Sequence, residues 1–459
     1  MVSRLANQET AQVFHRTTAV LKDKKRMFLY EADLLAKEIA KYLKKSSAVL
    51  EVKLLGSLRR KKETIGDIDI VVKTQNPKEV FGHFASFPKI KKFLTKNQGD
   101  SFKVLLTNQK QVNLRVVAPK DMGLVVQHLT GSKAHNLLLK KFLSKRNLSL
   151  SRDSLKNLGS QEEFSFEKEK TFYRFLGLDW IPPELREGHK EIEVAQNKKL
   201  PQLVKVSDIK GDLHVHSNFP IGSSHDSGSA SVQEILNLAF EKGYQYLAFT
   251  EHNPSQSGHN KKEVVNIIKK KRKWVDQINY SNKEGLNVRV KKLPFIFNSL
   301  EIDIKPAGDL ALPKEAFEYL DFAVGGIHSQ FSLSKEAMTK RILKGLSHPK
   351  VKVWAHPTSR MLPYRPPIEI DWEVVFAFCR KNNKILEINA SPKRLDLPDT
   401  LIKQAISKKI KLVVNSDGHR LDQLALMPYG VFQARRGWAQ KTDLVNTLDL
   451  DKVRVILLS

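Results

Sequence analysis

Apolar and polar positions run along this chain in two rhythms, and the change between them marks its parts. From Arg26 to Lys45 the apolar residues Leu34, Leu35, Ile39, Tyr42 and Leu43 recur at helical spacing and predict one helix with a single buried face, ended by Ser46-Ser47. Val49 to Leu55 then reads as a strand closed by Gly56-Ser57. In Asp67-Ile68-Asp69-Ile70-Val71-Val72 acidic and apolar residues alternate, so the two carboxylates share one strand face. Gln111 to Val117 predicts a further strand. Residues 134–180 read as helices, with apolar pairs such as Leu137-Leu138 and with Phe172. Trp180-Ile181-Pro182-Pro183 breaks that period, and the polar residues 187–205, with Lys198-Lys199 and Pro201, read as a linker.

Past the linker the pattern becomes strand–helix alternation. Gly211 to Ser217 is a β-type run, followed by a long loop over 217–230. Ser231 with Glu234 three residues later forms a capping box, and the amphipathic helix it starts stops at Gly243. Tyr246 to Phe249 is a buried-strand run ending in Thr250-Glu251-His252. The unit repeats at 296–300, 322–327, 351–355, 384–386 and 411–416, which lead into Glu301, His328, His356, Glu387 and Asp417-Gly418-His419. Polar residues placed repeatedly at strand C-termini are the signature of the active face of a β/α barrel. A satisfied core histidine would account for any one of them but not for the series.

Composition narrows the partners. At 459 residues with 41% hydrophobic content the chain can build two or three cores. A formal charge of +29 points to a polyanion, most simply nucleic acid. The single cysteine, Cys379, excludes an internal disulfide framework and suits a reducing compartment. No run is long and apolar enough to span a bilayer, and Met1 to Ala6 lacks a signal-peptide core. The expectation is a cytoplasmic protein without a membrane partner.

Two stretches carry chemistry. Gly56-Ser57 after a strand lets backbone amides and a hydroxyl approach phosphates, and Arg59 and Arg60 can add charge-assisted bonds. Asp67 and Asp69, with substrate phosphates, suit Mg²⁺. In the second stretch His214 and His216 share a strand face, half of a metal site. The mixed histidine and carboxylate set downstream suits Mn²⁺ or Zn²⁺ better than Mg²⁺. Lys269 to Lys273 continue a helix whose apolar side is Val264, Val265, Ile268, Trp274 and Ile278, and read as an exposed face or a phosphate contact.

Gly56-Ser57-x-Arg59-Arg60 with Gly66-Asp67-x-Asp69 resembles the palm of family X DNA polymerases. The resemblance implies Asp67 and Asp69 as catalytic carboxylates, and Gly56, Ser57, Arg60, Gly131 and Asn136 as contacts for DNA and dNTP. It also exposes departures. Asn113 stands where the family has a third aspartate, Ile65 where a small residue is usual, and His128-Leu129 where the turn is aromatic-rich. An amide carries no charge and takes no proton, so polymerase activity is expected to be weak or lost. The chain also starts just before the palm, so lyase activity is not expected of it, and a separate lyase or repair protein is the candidate partner.

From 211 onward, His-x-His, Glu-His, Glu301, Gly-x-His-Ser, Ala-His-Pro and Ser-Asp-Gly-His resemble the polymerase and histidinol phosphatase (PHP) family, as fused to bacterial family X polymerases. The implied fold is α/β multidomain: a nucleotidyltransferase palm with mixed sheet, a helical or mixed subdomain, and a distorted (β/α)₇ barrel. The implied domains are a helical lead-in over 1–47, palm 48–125, nucleotide-side thumb-like subdomain 126–186, linker 187–210 and PHP domain 211–459. The implied centre holds three ions. His214, His216, Glu301 and Asp417 hold one; Glu301 bridges to a second with His328 and His356; His252, His419 and Asp226, or His225 in its place, hold the third. Arg360 or Lys393 is expected to neutralise phosphate charge. The implied activity is hydrolysis at DNA 3′ ends, as a 3′→5′ exonuclease or 3′-phosphoesterase in DNA repair. The rivals are an active gap-filling polymerase, a small-molecule phosphatase of the histidinol type and a non-catalytic DNA-binding scaffold.

Overall fold

The computed structural model describes residues 26–98, 100–284 and 293–459. Most of the predicted lead-in, residues 1–25, lies outside them. The chain divides into two compact units after Pro201.

In the first unit, helix α1 (Leu29–Leu43) buries Leu29, Ala32, Ala36, Ile39 and Leu43. Leu34, expected on the buried face, is 49% exposed. The true stripe is set by Ala32 and Ala36, whose small side chains let the helix pack closely and carry little weight in an apolar pattern. Five strands follow in the sheet: β1 (Glu51–Leu54), β2 (Asp67–Lys73), β3 (Ile90–Gln98), β4 (Ser101–Leu106) and β5 (Gln111–Val117), in the order β1-β2-β5-β4-β3. Only β2 and β5 are parallel, and their register sets Asp69 opposite Asn113.

Helices α2 (Met122–Thr130) and α3 (Lys133–Ser144) come next. The all-helical expectation for 134–180 fails beyond them. An antiparallel sheet of β6 (Leu148–Leu150), β7 (Leu155–Asn157) and β8 (Glu163–Phe164) intervenes before α4 (Glu169–Phe175). Leu137, expected in the apolar core, is 68% exposed. The expected linker also contains structure. Helix α5 (Glu191–Gln196) buries Glu191, whose carboxylate lies 2.8 Å from His135 Nδ1 and caps the amides of Gly188 and His189.

The second unit is built on parallel strands: β9 (Gly211–Val215), β10 (Tyr246–Phe249), β11 (Phe295–Asn298), β12 (Glu301–Asp303), β13 (Ala323–Gly326), β14 (Val351–Trp354), β15 (Ile385–Asn389) and β16 (Leu412–Asn415). They form two sheets, β9-β10-β11 and β12-β13-β14-β15-β16. Parallel bridges Val215↔Gly418, from β9 to just past β16, and His252↔Glu301, from just past β10 to β12, join the two sheets, so the strands close into a ring. The strand side chains alternate as period two requires. Val324, Val353, Ile385 and Val413 pack in one cluster with Val453 and Leu457 of α8 (Leu450–Leu458), whereas Ala323, Trp354, Leu386 and Val414 pack toward the surrounding helices.

The capping box is formed: Ser231 Oγ accepts from Glu234 N at 3.3 Å, starting α6 (Val232–Glu241). Glu301 opens a strand rather than ending one, because the chain breaks from β-pairing at Ser299-Leu300. The basic stretch of α7 (Lys261–Glu284) is divided: Lys269, Lys270 and Lys273 are exposed, but Lys271 is fully buried. Among the described residues no helix is long and apolar enough to cross a membrane.

Candidate metal centre and palm site

Because the ring strands are parallel, their C-terminal ends open on one side, and the histidines and carboxylates collect there. Glu301 sits at the middle, fully buried. Its Oε2 lies 3.2 Å from His214 Nε2 and 3.5 Å from His216 Nε2. Asp417 Oδ1 faces the same two nitrogens at 3.5 and 3.4 Å. The other oxygen of Glu301, Oε1, lies 2.8 Å from His356 Nε2 and 3.1 Å from His328 Nε2. Gly326 leaves room for it: a Cβ there would fall 2.6 Å from Glu301 Oε1.

A third group adjoins these two. The Asp226 carboxylate reaches His252 Nε2 at 3.4 Å and His419 Nε2 at 3.5 Å, and the His419 ring stacks on His216 with centroids 3.8 Å apart. His214, His216, Asp226, His252, Glu301, His328, His356, Asp417 and His419 are thus brought into one cluster. His225, beside Asp226 on the same loop, lies 3.0 Å from Asp303 and packs against His252 and His328, with which it forms a further group of ring nitrogens close enough together to share an ion.

The electrostatics suit cations. Burial works against a charged His214, but Glu387, Glu301 and Asp417 outweigh it and raise its pKa well above the usual value. Burial, with His419 alongside, drives His216 the other way. Burial would raise the pKa of Glu301, yet His252, His328 and His214 hold it well below the carboxylate range. His214 Nε2 and His216 Nε2 converge to 3.1 Å, and His252 Nδ1 and His419 Nε2 are buried without a hydrogen-bond partner. Desolvated imidazole nitrogens aimed at one another and at carboxylates are costly unless a cation lies between them. The donor set therefore fits divalent metal ions.

Behind the donors stands a layer to which the sequence alone assigns no role. Glu387 Oε1 lies 2.7 Å from His214 Nδ1, and its Oε2 accepts from His356 N at 2.7 Å. Asp303 Oδ1 lies 2.6 Å from His328 Nδ1. These carboxylates orient the rings. Their signal is present as acids within apolar strands, Glu387 in β15 and Asp303 two residues after Glu301. Lys271 is hidden in the sequence because its neighbours are exposed lysines. Its Nζ donates to Phe249 O at 2.9 Å and pairs with Glu251 at 2.6 Å. Glu251 in turn accepts from the Ser217 amide at 3.2 Å and from the Ser217 hydroxyl.

The two expected phosphate cations stand differently. Arg360 is buried and spends its guanidinium on the carbonyls of Arg394 and Leu395, while Lys393 is exposed. A further cation, Arg394, faces the centre. Its Nε lies 3.7 Å from Asp417 Oδ2, and its Nη1 is buried without a partner.

In the first unit Asp67 and Asp69 stand side by side on β2 as their spacing predicts. Asn113 Nδ2 donates to Asp67 Oδ2 at 2.7 Å and to Asp69 Oδ1 at 2.8 Å, and its Oδ1 accepts from Gln111 Nε2 at 2.8 Å. The amide fills the gap between the carboxylates and has its own oxygen engaged. Burial, together with the neighbouring Asp67, pushes Asp69 up to about 6.

Of the residues expected at the substrate, Gly56 and Arg60 lie beside this pair. Gly56 has φ +61, and a Cβ on it would fall 2.1 Å from Asp69 Oδ2. Ser57 lies in the short helix Gly56–Arg59. Arg60 donates to Thr130 O and pairs with Glu187 at 3.2 Å, and a Cβ on Gly131 would meet its Nη1 at 3.2 Å. Asn136 Nδ2 donates to His128 O at 2.8 Å. Arg59, expected at phosphate, is instead held by Glu169 through two bonds of 3.0 and 2.8 Å.

Comparison with known proteins agrees with this division. The family description DNA polymerase beta palm matches residues 26–102, and DNA polymerase beta thumb matches 125–187. The chain is 32% identical over 426 residues to the DNA polymerase/3′-5′ exonuclease PolX of Bacillus subtilis (strain 168), covering 92% of this chain and 71% of that protein. Its C-terminal part is similar to a probable phosphatase of Thermoanaerobacter sp. (strain X514), 26% identical over 218 residues, covering 45% of this chain and 78% of that protein.

Proposed function

This chain belongs to the family X DNA polymerases, and from that premise we propose that its working chemistry is metal-dependent hydrolysis of phosphoesters at DNA 3′ ends, carried out by a PHP domain over 211–459. That domain is a distorted (β/α)₇ barrel, and it follows a palm over 48–125 and a thumb-like subdomain over 126–186. One observation carries the reading: the two oxygens of Glu301 face separate sets of histidine nitrogens, Oε2 those of His214, His216 and His252 and Oε1 those of His328 and His356, at 2.8–3.5 Å. A carboxylate so divided could serve two ion sites at once.

His214, His216, Glu301 and Asp417 would hold the first ion; Glu301, His328 and His356 the second; His252, His419 and Asp226 the third. Mn²⁺ or Zn²⁺ bound there supplies an acidified water and Lewis acidity toward the phosphoryl oxygens. The chain's own residues do the rest. Glu387 and Asp303 fix the tautomer and direction of His214 and His328 through their Nδ1 atoms. Arg394 offers its unpartnered Nη1 to a non-bridging phosphate oxygen, where negative charge grows during hydrolysis. Glu251 and Lys271 tie the start of the 217–230 loop to the end of β10, which steadies the segment carrying Asp226.

The palm binds DNA but inserts nucleotides weakly or not at all, because Asn113 takes away one of the anionic ligands needed to hold Mg²⁺ and its amide occupies the gap between the other two. A labelled primer-template with Mn²⁺, with and without dNTPs, tests both parts. Wild type and Asp67→Ala should shorten the primer from its 3′ end, and His214→Ala should not. A primer that wild type leaves intact defeats the phosphoesterase reading, and robust template-directed extension defeats the reading of the palm.

A further inference from the structure

Three loops leave the metal centre and are stitched into one rim. Phe331 lies three residues past His328, the turn Met361–Arg365 follows His356, and Lys393-Arg394 follows Asn389. Arg365 stacks its guanidinium 3.7 Å over the Phe331 ring and donates from Nε to Ser359 O at 2.7 Å. Leu362 N donates to Lys393 O at 2.6 Å, Met361 N to Arg365 O at 2.9 Å and Tyr364 N to Met361 O at 2.6 Å. The turn is therefore fixed on both sides.

At its tip stands Tyr364, which at 78% is the most exposed large apolar side chain among the described residues. An aromatic ring held out on a braced turn gives up little further freedom on binding and exposes both faces. Its neighbours on the rim are cationic: Arg365, Lys393 and, facing the centre, Arg394. The Leu362–Lys393 bond ties the two loops together. With 3.8 Å per Cα step, the Tyr364 and Arg394 backbones are at most about 16 Å apart. That separation is within the span of a few nucleotides of a single strand.

We propose that Tyr364 is a nucleobase-stacking platform: it holds a base at the 3′ end of a single DNA strand while Arg394 takes the neighbouring phosphate. The inference rests on the DNA 3′-end reading above and names the residue that lets the centre prefer a polynucleotide over a small phosphoester. Stacking on an aromatic ring is sequence-tolerant, so the preference is for any unpaired end.

The test compares full-length wild type, Tyr364→Ala and Tyr364→Phe with Mn²⁺ on three substrates: a single-stranded oligonucleotide, the same strand with two abasic residues at its 3′ end, and bis(p-nitrophenyl) phosphate. The readout is kcat/KM on the strand divided by kcat/KM on the small diester. Tyr364→Ala should lower that ratio about five- to hundredfold, mainly through KM. Tyr364→Phe should keep the ratio near wild type, and the abasic strand should be poor and insensitive to either substitution. A ratio unchanged in Tyr364→Ala overturns the platform while leaving the phosphoesterase reading intact. A loss in Tyr364→Phe equal to that in Tyr364→Ala also overturns it, since the hydroxyl and not the ring would then be at work. Wild type that hydrolyses the small diester but no oligonucleotide overturns both readings.

Discussion

At Asn113 a single side-chain amide lies between two acids. Its two N–H bonds reach Asp67 and Asp69 at 2.7 and 2.8 Å. A third carboxylate at that position would be repelled by the pair and would need a divalent ion to hold it. Asn113→Asp is therefore expected to raise single-nucleotide insertion above the wild-type level in a primer-extension gel. An unchanged level would mean that something other than the missing acid limits the palm. Cys379 gives a second residue-level expectation. Burial pushes its thiol up to about 12, so a thiol reagent at pH 8 should label the native protein only after urea is added. Labelling without urea would contradict its burial.

Most residues of the candidate metal centre are legible in the sequence because they follow short apolar runs, and period-two geometry puts His214 and His216 on one face, whereas Asp226 lies in the polar 217–230 loop with no such run before it. The residues behind them are not legible in the same way. Glu387 and Asp303 look like any acid in a strand until their 2.7 and 2.6 Å histidine partners are seen. Arg360 and Arg394 differ only in which way the backbone aims them, and sequence holds no record of that.

At the scale of elements, the first unit is held by a buried network around Glu169. Its carboxylate receives Arg59 at 3.0 and 2.8 Å, Arg186 at 2.6 Å and Trp180 at 2.8 Å, joining α4 to the turn after β1. Burial would raise its pKa, but Arg186 and Arg59 pull it far below its ordinary value of 4.5. A depressed carboxylate contributes stability that is complete above its unfolded pKa and is lost as pH falls. Glu169→Gln, which leaves the buried Arg186 and the partly buried Arg59 short of a countercharge, should cost about 3–5 kcal/mol at pH 7 in urea unfolding. The gap to wild type should shrink as pH drops below about 4.5. A gap that stays constant with pH would remove the ion pairs as its cause.

The elements that escape a sequence reading are the short ones. Strands β6 and β7 have three residues each, too few for alternation to show, and α5 has six residues in a stretch whose polarity resembles a linker. Glu191 is buried there against His135, which a polarity pattern scores as surface. Long periodic elements and capped helices, by contrast, announce themselves, as Ser231 and Glu234 illustrate.

For the whole molecule, a charge of +29 sets the terms of its encounter with DNA. If six phosphates are neutralised, affinity for a labelled strand should fall about a thousandfold between 50 and 200 mM salt, measured by fluorescence anisotropy. A flat salt dependence would argue against backbone contacts as the source of binding. The division into a palm-bearing unit and a ring of parallel strands is visible as a change of hydrophobic rhythm near residue 211, close to the boundary after Pro201. The measurement that bears most directly on the whole account is the 3′-end shortening of a 5′-labelled single strand by wild type and by Glu301→Gln in the presence of Mn²⁺. Stepwise shortening by wild type and none by Glu301→Gln is the predicted result; equal shortening by both would contradict a centre built around Glu301.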